Sequence, residues 1–293
     1  MTRAILVTGG SGQLATALSR AGGARVHVVG RPAFDFDRPE TIAAAFNATR
    51  PWLVINAAAY TAVDAAEADA EAAMRANRDG PEELARLCAA ADVPLIHIST
   101  DYVYSGDKPT PYVEADRTGP CCVYGASKLA GEAAVIASGA HAIILRTAWV
   151  YAATGRNFAR TMLSLAQTRD TLRVVADQRG CPTAAPDLAA AILTIAGLIE
   201  SHGWNDTWSG VFHAANSGDT TWHGFAGAIF ASAARYGAKV PEVIPIPTAE
   251  YPTPAKRPEN SRLDCGRLNS VFGVRLPPWR DSLARVIDEI FAV

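Results

Sequence analysis

The sequence predicts an α/β fold: a doubly wound parallel sheet followed by a smaller C-terminal lobe. Three observations lead there. Short apolar runs alternate with helical stretches through the first half, the first run empties into a glycine-rich turn, and the alternation loosens after about residue 150. In chain order the expected strands are Ala4–Thr8, Val26–Gly30, Leu53–Ala57, Leu95–Ser99 and Ile143–Arg146. They are nearly continuously hydrophobic, as strands covered by helices on both faces must be. The expected helices between them are Gly12–Ala21, Glu40–Thr49, Ala72–Ala91 and Ser127–Ser138. Beyond residue 150, Pro182, Pro186 and the stretch from Pro241 to Pro258 punctuate shorter elements, and Arg280–Phe291 reads as a closing amphipathic helix. The boundaries expected are residues 1–150 for the first domain and 151–293 for a lobe partly interleaved with it.

Composition narrows the class. The chain has 293 residues, 49% hydrophobic and 19% charged, which suits a folded protein with a sizeable core and excludes extended disorder. A net charge of −2 leaves no broad basic field for nucleic acid. No apolar run approaches the ~18 residues of a membrane span. "MTRAILVTGG" lacks the layout of a signal peptide and reads directly as a strand. Five cysteines, at 88, 121, 122, 181 and 265, have no metal-ligand spacing, so buried thiols in a reducing cytoplasm are expected and no metal site is.

The first strand runs into Gly9-Gly10-Ser11-Gly12-Gln13-Leu14-Ala15. Glycines there permit a tight turn and let backbone N–H groups approach a pyrophosphate at the N-terminus of the next helix, the Rossmann-type arrangement. Gly9, Gly12, Gln13 and Leu14 are therefore candidate dinucleotide contacts, with the spacing G-x-x-G-x-x-A. NAD sites place an acidic residue after the second strand, to hold the ribose 2′-hydroxyl; here Gly30-Arg31 stands in its place. A guanidinium offers a planar fork to a 2′-phosphate, which favours NADPH, with NADH also admissible. Asp35 and Phe36 are placed beside the adenine, and Ala59, Tyr60 and Thr61 of "NAAAYTAVD" border the phosphates or ribose.

The chemistry is expected at "CCVYGASKLAGE" (121–132). Tyr124 and Lys128 stand four residues apart, hence one turn apart on one helical face. A phenol is a poor acid at neutral pH, and a nearby ammonium pulls its pKa down. The fourth strand ends in Ser99-Thr100, at the carboxyl end of a parallel strand, where such sheets bind ligands.

With this Ser/Thr–Tyr–Lys set the chain resembles the extended short-chain dehydrogenase/reductase family, in the branch that reduces dTDP-4-keto sugars. The narrower resemblance rests on "GGSGQLA", "NAAAYTAVDAAE", "STDYVYSG", "VYGASKLAGE", "LRTAWVYA", "NFARTML", "DQRGCPT" and "YPTPAKRPENSRL", in this order over nearly the whole chain. The resemblance implies a C-terminal substrate-binding lobe and reduction of the 4-keto group of dTDP-4-dehydro-β-L-rhamnose by NADPH, in a cytoplasmic monomer or homodimer. It implies that Tyr124 donates the proton, that Lys128 lowers its pKa and holds the nicotinamide ribose, and that Thr100 polarises the carbonyl. Asp101 and Trp149 fall where the family meets the sugar. Asp177, Gln178 and Thr183 stand as either substrate contacts or self-satisfied loop residues. Arg257 and Arg262 are candidates for the diphosphate, presented by a loop that Pro252, Pro254 and Pro258 stiffen. Some members carry a glutamate on the first helix that is associated with metal-linked dimers. This chain has Ala15-Thr16-Ala17-Leu18 there, and no metal site is carried over.

Two other readings remain open. One is a reductase or epimerase of another nucleotide diphosphate sugar; Gly30-Arg31 counts against the epimerase, which needs tightly held NAD. The other is a non-catalytic regulatory subunit of the methionine adenosyltransferase β type, which resembles this family; Thr100, Tyr124 and Lys128 count against it.

Overall fold

The computed structural model describes residues 4–292. β1 (Ile5–Thr8), buried at every residue, leads through the glycine turn into α1 (Gln13–Gly22). β2 (Val26–Val29), α2 (Pro39–Thr49) and β3 (Leu53–Asn56) follow. The single helix expected over residues 72–91 is divided. α3 (Val63–Ala66) and α4 (Ala70–Met74) precede a π-helical turn, Arg75–Asp79, and α5 (Gly80–Ala90) comes after it. Pro81, which has no N–H to return to the carbonyl of Asn77, gives a local reason for the break.

β4 (Leu95–Thr100), α6 (Val123–Ala137) and β5 (Ala142–Thr147) complete the first half. α6 begins at Val123, not at the expected Ser127, because Cys122 caps it: its Sγ accepts from Gly125 N at 3.4 Å. Tyr124 is therefore helical from the first turn.

Next come β6 (Val150–Tyr151), α7 (Phe158–Thr168), β7 (Thr171–Val175), β8 (Arg179–Gly180), β9 (Thr183–Ala184) and α8 (Ala185–His202). β10 (Gly210–His213), β11 (Thr220–Thr221), α9 (Trp222–Ala233), β12 (Glu242–Ile246), α10 (Gly266–Phe272) and α11 (Trp279–Phe291) close the chain.

Six strands form one parallel sheet in the order β10-β5-β4-β3-β1-β2. From β1 the chain winds first to β2 on one side and then to β3 on the other. Such a reversal opens a crevice at the carboxyl ends of the two central strands. α8 lies against α1, and Leu188, Ile192, Ile195 and Ile199 join Leu14 and Leu18 in one core. Each such side chain contributes ~1.5–3 kcal/mol on burial. A second core gathers Met162, Leu172, Phe225, Ile229, Leu283 and Ile287 around α7, α9 and α11. Among the described residues, no helix is long and apolar enough to cross a membrane.

Candidate active site

The reversal point holds a cavity of about 900 Å³. At one end lies the glycine turn. Gly12 N donates to Gly9 O at 2.9 Å, and Gly10 N donates to Val29 O at 2.9 Å, which folds the turn back over β2. Gly9 and Gly10 have φ of +109° and +54°, accessible to glycine with little strain. A Cβ on Gly9 would sit 3.0 Å from Ala57 O, and one on Gly30 only 2.6 Å from Gly10 Cα. No side chain caps α1, so its first N–H groups have no intrahelical or side-chain acceptor and face the cavity mouth, as an anion site requires. These features fit a dinucleotide pyrophosphate.

Arg31, largely exposed, donates from Nε to Asp35 at 2.9 Å and from Nη2 to Asp37 at 2.8 Å; Arg75 Nε reaches the other Asp37 oxygen at 3.1 Å. Two guanidiniums thus converge on one carboxylate beside the cavity. Phe36 and Phe34, edge to face at 5.2 Å, line the same end. Ala59, Tyr60 and Thr61 line the cavity above β3. Tyr60 is held there by Asn77, which accepts from Tyr60 N at 2.8 Å and donates to Tyr60 O at 3.1 Å and Ser127 Oγ at 2.9 Å.

At the other end the cavity is lined by Thr100, Asp101, Tyr102, Tyr124, Lys128 and Trp149. The Thr100 hydroxyl donates to Asp101 Oδ1 at 3.0 Å and accepts from Tyr102 N at 3.2 Å, and Thr100 and Tyr124 line the same stretch of the cavity. Lys128, 2% exposed, donates to Ile98 O at 2.6 Å. Burial lowers its pKa to about 8, against the opposing charge of Glu132. The expected lowering of the Tyr124 pKa by Lys128 is corrected. Burial pushes the phenol above its ordinary value, and the influence that lowers it is Thr100. The Lys128 ammonium is turned to a backbone carbonyl.

Asp101, 2% exposed, is pushed up to about 7 by burial, with the hydroxyls of Ser261 and Thr100 opposing. Its Oδ1 accepts from Thr100 at 3.0 Å, whereas Oδ2 has no partner among the described residues; the Ser261 hydroxyl donates instead to Arg179 O at 3.3 Å. Beneath the site, Glu132 accepts from Ser99 Oγ at 2.5 Å and from Arg146 at 2.9 and 2.6 Å, tying α6 to the ends of β4 and β5.

Two predicted residues are not brought into the cavity. Arg257 pairs with Asp64 at 2.7 and 3.0 Å, and Arg262 is held by Asn260 Oδ1 at 2.8 Å and the Pro109 carbonyl. Asp177 and Gln178 bond to Thr248 of a distant segment, at 2.6 and 3.1 Å, and Thr183 donates within its own loop to Cys181 O at 3.1 Å. Sequence reasoning missed Asn77, Arg156 and Trp222. Arg156 and Trp222 line the cavity, and Asn77 braces its wall. Arg156 stands just before the quoted "NFARTML"; Trp222 carried no local signal at all.

A Rossmann-type sheet with a glycine turn at one end of its cavity and Thr100, Tyr124 and Lys128 at the other defines an extended short-chain dehydrogenase/reductase. The family model described as the RmlD substrate binding domain matches residues 2–291. A dTDP-4-dehydrorhamnose reductase of Sinorhizobium fredii is 46% identical over 97% of this chain and 96% of its own. The solved dTDP-4-dehydrorhamnose reductase of Bacillus anthracis, in complex with NADP, has a TM-score of 0.89 at 32% identity, covering 99% of this chain and all (100%) of that one. That of Clostridium acetobutylicum has a TM-score of 0.88 at 36% identity, covering 97% and 98%. The chain belongs to the dTDP-4-dehydrorhamnose reductase family.

Proposed function

We propose that this protein reduces the 4-keto group of dTDP-4-dehydro-β-L-rhamnose, giving dTDP-L-rhamnose, with NADPH. The observation that carries the reading is the meeting of Thr100, Tyr124 and Lys128 in one cavity with the uncapped N-terminus of α1. The names of the relatives support the substrate, and the NADP held by the Bacillus anthracis structure supports the cofactor.

NADPH, when bound, supplies hydride to the 4-keto carbon. Gly9, Gly12, Gln13 and Leu14 would hold its pyrophosphate, Arg31 its 2′-phosphate, and Lys128 its nicotinamide ribose. Asp35 and Phe36 would border its adenine, and Ala59, Tyr60 and Thr61 its phosphates or ribose. Thr100 donates to the carbonyl oxygen, and Tyr124 gives its proton to that oxygen as it becomes an alkoxide. Burial keeps the phenol protonated at neutral pH, so its proton is in place to be given. Asp101 and Trp149 face the sugar. We assign residues 1–150 mainly to the cofactor and 151–293 mainly to the substrate, with α8 and β10 returning to the first unit. All five cysteines are free thiols, which supports a reducing cytoplasm as its compartment. A monomer or homodimer is the assembly we assign.

The test is NADPH oxidation with dTDP-4-dehydrorhamnose and with its UDP counterpart. Wild-type turnover on the dTDP substrate, and a loss of roughly 10² to 10⁴ in kcat for Tyr124→Phe at unchanged NADPH affinity, are expected. Near-wild-type turnover of Tyr124→Phe would remove the tyrosine from the chemistry.

A further inference from the structure

Trp149 and Trp222 come from distant parts of the chain and stack at 3.5 Å between centroids with 7° between their planes, and both line the cavity. Trp149 adopts φ of +48°, a left-handed conformation that large side chains rarely take and that persists only where the surroundings over-determine it. Those surroundings are visible. Thr183 N donates to the Trp149 carbonyl at 3.2 Å, which holds the backbone. The backbone of Gly180 lies against the indole so closely that a Cβ there would stand 2.3–2.6 Å from Cε2, Cζ2 and Nε1. β8 and β11 pair antiparallel, Thr220 with Gly180 and Thr221 with Arg179, and Thr221 Oγ1 accepts from Gly224 N at 3.0 Å as the cap of α9. This small antiparallel pair, made by segments distant in the chain, delivers Gly180 and the first residue of α9, Trp222, to the same indole. Phe158, tilted at 4.7 Å from Trp222, backs the stack. The glycine of "DQRGCPT" thus has a structural purpose that none of its polar neighbours shares.

We propose that Trp222 and Gly180 are positioning residues of the sugar subsite: together they clamp the Trp149 indole, and the stacked pair forms the apolar wall against which a 6-deoxy-4-keto pyranose lies. The inference rests on the functional reading above and adds to it the residues that hold the Trp149 indole in place and favour a 6-methyl over a 6-hydroxyl. Indole surface favours the C–H face of a pyranose and a 6-methyl group, and gives a 6-hydroxyl no partner in exchange for its water.

The test uses the full chain and three variants, Trp222→Ala, Trp222→Phe and Gly180→Ala. KM and kcat are measured for dTDP-4-dehydrorhamnose and for the corresponding 4-keto nucleotide sugar that keeps its 6-hydroxyl, with NADPH affinity measured alongside. Trp222→Ala and Gly180→Ala should each raise the sugar KM about tenfold or more and shrink the preference for the 6-deoxy sugar, at unchanged NADPH affinity. Trp222→Phe, which keeps an aromatic face, should recover most of the loss. Three results would overturn the proposal: an unchanged sugar KM in both, parallel losses for sugar and NADPH, or no recovery in Trp222→Phe. A wild type that binds NADPH but does not turn over dTDP-4-dehydrorhamnose would overturn the functional reading itself, and this inference with it.

Discussion

Asp101 and Arg31 show what single side chains owe to their surroundings. Burial raises the Asp101 pKa to about 7, so the folded state binds its proton more tightly than the unfolded chain does. Its contribution to stability is therefore full below about pH 4 and is lost as pH rises through about 7. Asp101→Asn should be more stable than the wild type at pH 8, and the difference should shrink on acidification to pH 4. Thermal unfolding at a series of pH values measures it; a constant difference would show that the carboxyl is not protonated on folding. Arg31 was legible as a 2′-phosphate ligand because its place after β2 is local in sequence. Its two acidic partners were not read as a pair. Asp35 and Asp37 keep the guanidinium oriented and compete with a phosphate for it. A charge-assisted contact contributes about 1.5–3 kcal/mol, so Arg31→Ala should raise the KM for NADPH roughly tenfold or more and leave that for NADH nearly unchanged. Equal changes for both cofactors would make Arg31 an ordinary surface charge.

At the scale of elements, α6 carries Tyr124 and Lys128 and must lie close to its neighbours. Gly131 packs on the π-helical turn so tightly that a Cβ would stand 1.9 Å from Asn77 O, and one on Gly125 would stand 2.2 Å from Tyr102 O. Backbone cannot yield as a flexible side chain does. Gly131→Ala should push α6 off the turn, cost about 1–3 kcal/mol of stability and release Tyr60 from Asn77. Its activity loss should appear in the KM for NADPH, since Tyr60 lines that end of the cavity. Wild-type stability in denaturant would show that the contact relaxes freely. The Pro-rich loop is a second case. It was expected to present Arg257 to a diphosphate, and instead Arg257 and Ala255 N fasten it to Asp64 of α3. The ion pair needs the two segments folded together, which no local pattern could reveal.

On the scale of the whole molecule, the boundary proposed near residue 150 is crossed twice. α8 supplies Leu188, Ile192, Ile195 and Ile199 to the core around α1, and β10 pairs with β5 at the sheet edge. A fragment of residues 1–150 would expose that core face and a bare strand edge. It should show no cooperative thermal transition, while the full chain unfolds in one step seen by both circular dichroism and tryptophan fluorescence. A cooperatively folded fragment would show that the first unit stands alone.

Local chemistry is what the sequence determined by itself. Apolar runs that alternate with helical patterns specify a parallel sheet, glycines after a strand specify a close-approach turn, and Tyr124-x-x-x-Lys128 specifies one helical face. Each depends on residues a few positions apart, where backbone geometry alone fixes the neighbours. Tertiary structure decided everything that depends on meetings across the chain. It set Trp222 on Trp149, braced Tyr60 with Asn77, bound Glu132 to Arg146, and turned Arg257 to Asp64 and away from the cavity. It also decided the protonation of the site, because the pKa values of Tyr124, Lys128 and Asp101 are set chiefly by burial. Burial is a property of the packed molecule, and no spacing in the chain encodes it.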